Sequence, residues 1–168
     1  MKIHDETKVP EFLKMLDELS TTHLEIGIFS DSGGDILMIA NVNEFGLNIK
    51  VTDKMRNYLH YIGIHLKKET KEIKIPERSF VRGSYDENKN KIIDNADKLL
   101  EKVINLELPV SVFFDTLGEY VVGLVQDYMT DLRSPPNHPA TIANKGSSNP
   151  LISTGRLRQS ITFRQVKN

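Results

Sequence analysis

The sequence predicts an α+β fold in which a small antiparallel or mixed β-sheet packs on two long helices, with a long irregular loop before a C-terminal strand. Three observations lead to this class. Apolar residues recur every three or four positions through 86–132, which is the period of an amphipathic helix. Apolar and polar residues alternate in 23–29 and 161–164, which is the period of a strand. The intervening segment 133–150 is rich in proline and glycine, which interrupt both patterns.

The first quarter of the chain predicts short elements in the order helix, strand, helix, strand. Pro10 suits the first turn of a helix, because a residue there needs no backbone N–H. The segment 23–29 alternates as a strand, 35–46 is expected to form a short helix ended by Gly46, and 47–51 is strand-like. The first helix carries apolar side chains at helical spacing: Phe12, Leu13, Leu16 and Leu19.

The next segment predicts a helix followed directly by a strand. Thr52 or Asp53 can cap the helix, since short polar side chains accept hydrogen bonds from the first backbone N–H groups. The helix is expected to run into a strand at 61–66. The charged stretch 67–74 is then expected to be an exposed connector.

Two long helices are predicted in the second half of the chain. The first begins near Asp86, and the second follows Pro109 and runs to Leu132. A short break separates them, which favours an antiparallel pair.

After Leu132 the chain is expected to form a long loop and then to pack again on the rest of the domain. We expect one domain, 1–168, in which 133–150 is an extended loop and 151–168 forms a turn and a strand. Loops of this length in compact domains are usually functional or disordered. Ser153 or Thr154 can cap the turn, so the loop is tied down at its far end.

Composition restricts the classes of function. The chain has 22 basic and 23 acidic residues, a net charge of -1, which argues against a general nucleic-acid binder. It has no cysteine, which excludes disulfides and thiolate metal sites. Residues 1–16 hold no apolar run of signal-peptide length, and no stretch approaches the ~20 apolar residues that span a bilayer. A soluble intracellular product is therefore expected.

The charge is divided unevenly along the chain. Residues 133–168 hold six basic and no acidic residues, or +6, so 1–132 hold 16 basic and 23 acidic residues, or -7. This basic arm either neutralises its own acidic body or reaches an acidic neighbour. Asp115 and Glu119 repel each other slightly on one helix face, which favours exposure or a basic partner. Arg156 and Arg158 could be that partner, from the same chain or a neighbouring one.

The sequence offers little support for catalysis. The segment KGSSNP, 145–150, lacks the spacing of a phosphate-binding loop and is at most a turn. The segment EIK, 72–74, is a fragment of the acidic-x-lysine pattern of some metal nucleases, with Asp31 and Asp35 as the nearest further carboxylates. An exposed charged turn is the favoured interpretation of 72–74. No catalytic residue, cofactor or metal site is therefore predicted.

The histidines are expected to be structural. His60 and His65 are five positions apart, which suits neither one helix face nor one strand face, so both are expected to be ordinary, partly buried residues. His138 lies between prolines and is expected to make a backbone hydrogen bond rather than to bind a metal.

Three segments carry a resemblance to a known family. They are NEFG (43–46), IPERSFVRGSYDENKNKI (75–92) and the stretch 117–163, which contains P-P-N-x-P-A-T and K-G-S-x-x-P-L-I-x-T-G-x-L-x-x-S-I. Their order resembles a family of tailed-bacteriophage proteins called virion morphogenesis, tail-completion or neck proteins, related to the HK97-type head–tail joining proteins. The resemblance covers roughly two-thirds of the chain.

The resemblance implies a structural role at the head–tail junction of the virion, with the host cytoplasm as the place of assembly. It implies a ring of identical copies, hexameric by preference, that meets neighbouring neck, connector, tail terminator or tube proteins. It implies no enzyme activity, no cofactor and no membrane, and DNA would pass through the ring without specific binding. Two rival hypotheses stay open: a nucleic-acid-binding or nuclease-like domain, and a tail assembly factor that leaves before the virion matures.

The residues that match the family motifs, together with Arg156 and Arg158 of the basic arm, are candidates for an oligomer or partner interface. Pro76, Pro150 and Ser160 match as well, and each position has a plain alternative. Pro76 and Pro139 could merely set turns, and Leu151 and Leu157 could anchor the loop in the core. The candidate interface residues are Arg78, Phe80, Pro139, Thr141, Lys145, Leu151, Thr154, Gly155, Arg156, Leu157 and Arg158.

Overall fold

The computed structural model describes residues 7–168, except for the side chain of Asn144. The α+β class is confirmed. Residues 1–6, which belong to the segment where no signal peptide is expected, lie outside the described residues. The elements in chain order are α1 Val9–Thr21, β1 Thr22–Gly27, α2 Gly34–Phe45, β2 Leu47–Lys50, α3 Asp53–Tyr61, β3 Glu72–Ile75, α4 Phe80–Ile104, α5 Val110–Asp131, α6 Pro139–Lys145, α7 Arg156–Gln159 and β4 Thr162–Lys167.

The two long helices α4 and α5 form an antiparallel pair, as predicted. Tyr128 near the end of α5 lies over Gly83 near the start of α4. At the other end of the pair, Val103 of α4 shares a buried cluster with Val110 and Phe113 of α5. None of the helices in 7–168 is long and apolar enough to cross a membrane.

The strands form two separate antiparallel ribbons. β1 pairs with β4 from Thr22 opposite Lys167 to Gly27 opposite Thr162, and this ribbon packs on α5. The contact with α5 is close, because the ring of Phe163 lies directly against Gly118. The predicted sheet on two helices therefore consists of this ribbon, which joins the chain's first strand to its last.

The second ribbon pairs β2 with β3 and encloses α3 between them in the chain. Leu47 lies opposite Ile75, and Thr52 caps α3 by accepting a hydrogen bond from the backbone N–H of Met55 at 3.2 Å. The predicted connector over 67–74 is wrong in its last part, since Glu72–Ile75 is a strand. Its charged side chains alternate with isoleucines, and that alternation is the period of a strand.

The strand predicted at 61–66 is absent. The chain turns there instead, with Gly63 at a φ of 83° and a hydrogen bond from the backbone N–H of Ile64 to the carbonyl of Leu59. A positive φ is open to glycine at little cost and ends the helix without starting a strand.

The core consists of two clusters at opposite ends of the α4–α5 pair. One contains Phe80 at the start of α4 and Met129 near the end of α5, with Leu151, Leu157 and Ile161 from the C-terminal segment. The other surrounds Val103 and Val110 and receives Met15 of α1. The C-terminal segment therefore closes one end of the helix pair, and α1 closes the other.

α1 buries only part of the apolar series Phe12, Leu13, Leu16 and Leu19 that recurs at helical spacing. Phe12, Met15 and Leu19 pack into the second cluster, whereas Leu13 and Leu16 are 59% and 41% exposed. The helix is apolar on two adjoining faces, and only one of them can point into the core.

The loop 133–150 is only partly irregular. It contains the seven-residue helix α6, for which Pro139 supplies the first residue and Gly146, in the left-handed conformation at φ 67°, the end. The predicted bond from His138 is present, because its Nδ1 accepts a hydrogen bond from the backbone N–H of Ala140 at 3.3 Å. Pro139 follows directly as the first helical residue, where its missing N–H costs nothing.

Candidate functional site

A cleft of about 800 Å³ lies where α2, β3 and the 133–157 segment meet. Its walls are apolar, with Ile36, Ile39 and Val42 from α2 and Ile73 and Ile75 from β3. We call it the basic cleft, because its lining within the described residues includes four cationic side chains and no Asp or Glu; the cations are Lys74, Arg78, Lys145 and Arg156.

Most of the candidate interface residues meet at the basic cleft. Phe80, Pro139 and Arg158 lie outside its lining. The remaining eight line it: Arg78, Thr141, Lys145, Leu151, Thr154, Gly155, Arg156 and Leu157.

The segment NEFG contributes a buried carboxylate that caps α4. Glu44 is 7% exposed, and its Oε2 accepts hydrogen bonds from the backbone N–H groups of Phe80 at 2.8 Å and Val81 at 3.0 Å. Its Oε1 accepts from the backbone N–H of Arg82 at 3.2 Å. A carboxylate at a helix N-terminus satisfies donors that have no partner within the helix and interacts favourably with the helix dipole. The predicted start near Asp86 is therefore wrong, since Glu44 allows α4 to begin six residues earlier.

Arg82 holds this cap from the solvent side. Its Nε donates to Glu44 Oε1 at 3.1 Å, and its Nη2 donates to the backbone carbonyl of Glu44 at 2.8 Å and to Glu77 Oε1 at 2.8 Å. These bonds raise the pKa of Arg82, with the hydrogen bond to Glu44 as the largest cause. Two glutamates thus contact one arginine, one of them buried and the other half-exposed.

Arg78 joins the IPERSF segment to the proline loop. It is 6% exposed, and its Nε and Nη2 donate to the carbonyl oxygens of Pro135 at 2.8 Å and Pro136 at 3.0 Å. Its own backbone N–H donates to the carbonyl of Asn43 at 2.7 Å. The planar guanidinium suits two neighbouring acceptors, so Arg78 fixes the start of the loop against the body. Burial lowers its pKa.

Lys145 fixes the far side of the same loop. Its Nζ donates to the carbonyl oxygens of Asn149 at 2.6 Å and Pro150 at 3.3 Å. Burial lowers the pKa of Lys145, and the positive charge of Arg78 lowers it further. Neither cation forms an ion pair with a carboxylate of residues 7–168. Arg78 and Lys145 therefore give the basic cleft positive charge, and their hydrogen-bond partners are backbone carbonyls rather than carboxylates.

Asn149 ties the loop to the end of α5. Its side-chain amide donates to the carbonyl oxygens of Met129 at 3.2 Å and Thr130 at 2.9 Å. Its Oδ1 accepts from the backbone N–H groups of Leu151 at 2.8 Å and Ile152 at 2.9 Å. One side chain thus makes four hydrogen bonds, and the loop returns to the body at a fixed position.

The C-terminal motif is a structural anchor at its apolar positions. Leu151 and Leu157 are 6% and 7% exposed, and Phe80 is 1% exposed in the same cluster. The cap predicted from Ser153 or Thr154 is wrong, because the N-cap of α7 is Gly155, at a φ of 83°, and no side chain caps the helix. Thr154 Oγ1 accepts from the backbone N–H of Arg156 at 3.4 Å in the turn before it. The plain alternative of anchoring the loop therefore describes Leu151 and Leu157.

Three of the six cations of the basic arm pair with carboxylates of their own body. Arg156 Nη2 lies 3.2 Å from Asp35 Oδ2, Arg164 Nη2 lies 2.6 Å from Asp31 Oδ2, and Lys167 Nζ lies 3.6 Å from Glu18 Oε1. These are the contacts expected if the arm neutralises its own acidic body.

Arg158 is not the partner of Asp115 and Glu119 within the chain. Arg158 donates to the carbonyl of Gln126 at 3.2 Å and contacts neither Asp115 nor Glu119. Asp115 is exposed and accepts a hydrogen bond from Gln165 at 2.6 Å instead. The expected exposure of Asp115 and Glu119 is thus present without the arginine partners.

The histidine pair departs from the prediction. His60 and His65 are exposed, not partly buried, and their Nδ1 atoms lie 2.7 Å apart. The turn after α3 folds back on the helix, so a spacing that suits neither a helix nor a strand brings the rings together. Residues 7–168 hold no group of three or more His, Asp or Glu side chains placed to bind a metal ion.

Glu44, Arg82 and Asn149 organise the site, although the sequence did not predict this role for them. Asn149 precedes a proline, and asparagine in that position often hydrogen-bonds the backbone two residues on, so a local signal existed. Glu44 and Arg82 carry no such local signal, because they act between segments that are 38 positions apart in the chain.

Comparison of the chain with protein-family models, with curated proteins and with solved structures gives no match. The resemblance of the three motif segments to phage neck proteins therefore stays a prediction.

Proposed function

We propose that the chain is a non-enzymatic structural protein of a tailed-phage virion, located at the head–tail neck, where it completes or connects the tail as a homo-oligomeric ring. The observation that carries the proposal is the convergence of the three motif segments at the basic cleft. They are distant in the chain, yet 43–46, 75–82 and 135–157 are joined by the Glu44, Arg78 and Asn43 hydrogen bonds. Motif residues that shape a surface, and not a reaction centre, fit an assembly role.

The rigid attachment of the loop supports this role. Arg78 and Asn149 hold the 133–150 loop to the body at its start and its end, and Lys145 closes the last part of the loop on itself. A loop ordered before binding loses less conformational entropy on association, so more of the contact free energy appears as affinity. The cleft beside it is therefore suited to receive another protein surface.

The first test is the composition of particles and the mass of the purified protein. We expect the chain in finished virions at the neck by electron microscopy, and a ring, hexameric by family resemblance, by mass measurement. A strict monomer that is absent from purified virions would contradict the proposal.

A second test separates the two interpretations of the basic arm. Reversing Arg156 alone, as Arg156→Glu, breaks its pair with Asp35 and also changes the charge offered to a neighbour. The double swap Arg156→Glu/Asp35→Arg restores the internal pair but leaves the charge at position 156 reversed. If position 156 meets a neighbour, the swap stays defective in assembly; if it serves only its own chain, the swap recovers.

A nucleic-acid-binding domain is the second candidate, and the four cations of the basic cleft favour it. Phosphate contacts make binding fall steeply with salt, so titration of labelled DNA at increasing salt concentration is the appropriate measurement. No binding at low salt removes this candidate. A transient assembly factor is distinguished by its absence from finished particles while ring formation is retained.

A further inference from the structure

Helix α1 has an apolar face that the rest of residues 7–168 leaves about half exposed. Val9, Leu13 and Leu16 are 59%, 59% and 41% exposed, and they recur at i, i+4 and i+7 along one side of the helix. We call these three residues the α1 outer face. This spacing is the one by which amphipathic helices place anchor residues into a groove of a partner. Large apolar side chains grouped on a surface are typical of an interaction site.

The charge of α1 is negative. Between residues 9 and 21 it carries Glu11, Asp17 and Glu18 against Lys14, so three acidic residues and one basic residue give -2. The helix therefore combines exposed apolar side chains with a net charge opposite to that of the basic cleft.

The α1 outer face and the basic cleft lie at opposite ends of the molecule. α1 packs on the cluster around Val103, at the end of α4, whereas the cleft adjoins the cluster around Phe80, at its start. The 25 residues of α4 span about 37 Å at 1.5 Å per residue. One chain cannot bring its own α1 to its own cleft, but a second copy can.

The cleft has the complementary chemistry. Ile39 is 40% exposed on its α2 wall, and Ile73 and Ile75 form the opposite wall. Lys74 lies exposed on the β3 side among these isoleucines. An apolar groove with cationic side chains fits a helix that presents isolated apolar anchors beside acidic residues.

We propose that the α1 outer face of one copy docks into the basic cleft of the next copy, as a head-to-tail contact. The two surfaces are different, so the interface is heterologous, and repetition about a rotation axis closes a ring. The inference rests on the proposed ring function and names the surfaces that build it. Burial of the three apolar anchors supplies affinity, and the opposite charges steer the approach.

Complementary variants test this contact. Leu13→Glu/Leu16→Glu disables the α1 outer face and leaves the cleft intact, while Ile39→Glu/Lys74→Glu disables the cleft and leaves α1 intact. Each variant alone is expected to lose ring formation, with self-association weakened at least ~30-fold. Mixed in equal amounts, they are expected to form a dimer of one copy of each and nothing larger, because one functional pair of surfaces remains. Sedimentation velocity measures both results.

A matched control carries the same chemical change elsewhere. Tyr85→Glu/Ile93→Glu places two glutamates at exposed positions of α4, outside both surfaces, and is expected to assemble as wild type. Circular dichroism and thermal melts confirm that all three variants fold.

The outcomes separate this inference from the proposed function. Wild-type rings together with an assembling Leu13→Glu/Leu16→Glu variant, or a mixture that stays monomeric, overturn the α1 contact and leave the ring function standing. Loss of assembly in the cleft variant alone means that another segment or partner occupies the cleft, which also overturns it. If the wild-type protein stays monomeric in solution, the α1 contact is overturned too. If the protein is also absent from virions, the proposed function is overturned as well.

Discussion

Replacing Glu44 should destabilise the protein far more than replacing Glu77, although both glutamates contact Arg82. Glu44→Ala removes the acceptor of three backbone N–H groups at the start of α4, of which the one of Phe80 belongs to a 1%-exposed residue. Losing a helix cap costs about 0.5–2 kcal/mol, and leaving a buried donor unpaired costs about 1–3 kcal/mol. We therefore expect a loss of about 1.5–5 kcal/mol for Glu44→Ala. Glu44→Gln keeps an acceptor oxygen but loses the charge, so we expect about 1–2 kcal/mol.

Glu77→Ala is the control, because it removes a half-exposed partner of the same arginine. Exposed pairs contribute about 0–1 kcal/mol. Urea unfolding followed by circular dichroism measures the free energies, provided the transition is two-state. With a slope of about 2 kcal/mol/M, the Glu44→Ala midpoint should fall by about 0.8–2.5 M. If Glu44→Ala lies within about 1 kcal/mol of Glu77→Ala, the carboxylate does not hold the start of α4.

Three further changes test other contacts. In α5, Gly118→Ala should lower the free energy of unfolding by about 1–3 kcal/mol, because the ring of Phe163 occupies the space of the new methyl group. Gly123→Ala should raise it by about 0.5–1 kcal/mol, because the space there is open. Equal effects of the two substitutions in urea unfolding would contradict the contact between Phe163 and Gly118. Arg78→Lys replaces the planar guanidinium, whose Nε and Nη2 each reach one carbonyl, with a flexible ammonium that lacks this fixed geometry. Limited proteolysis within 133–150 should therefore accelerate at least ~10-fold, and an unchanged rate would show that the guanidinium does not fix the loop. The lowered pKa of Lys145 means that the folded state releases this proton before the unfolded state does, so the burial penalty is fully present below the folded pKa and is relieved towards pH 10.5. Relative to Lys145→Met, wild-type stability should therefore rise over that range, and a constant difference would refute it.

The elements that the sequence predicted correctly are those specified by local residues. α5 follows Pro109 and repeats apolar residues for six turns, so its period and its start are both visible in a short window. Thr52 caps α3 through a residue three positions away. The start of α4 depends instead on Glu44, 36 positions earlier than Phe80, and no window of helical length contains both. The apolar period begins only at Ile92, so it predicted a start near Asp86, although Phe80 at the actual start is itself buried.

The sequence indicated which residues belong to the candidate site but not how they are arranged in space. The motif resemblance marked Arg78, Lys145 and Leu157, and the structure brings all three to one cleft. It could not indicate that Arg78 binds the carbonyls of two prolines, because that contact requires the fold. The two apolar faces of α1 were visible as residues, but which face the core would take depended on how the helix docks beside Val103.

The cations of the basic arm already have partners within their own chain, and this affects which surfaces can hold two copies together. Three of the six cations in 133–168 pair with carboxylates of the body, and the other three donate to backbone carbonyls. Exposed ion pairs contribute little to stability, and these three pairs occupy the charges of the side chains that form them. Charge that is already used in this way is a weak source of affinity for a neighbour. Association is then expected to depend on the apolar side chains left uncovered on α1 and α2, with the cleft's unpaired cations selecting an acidic partner.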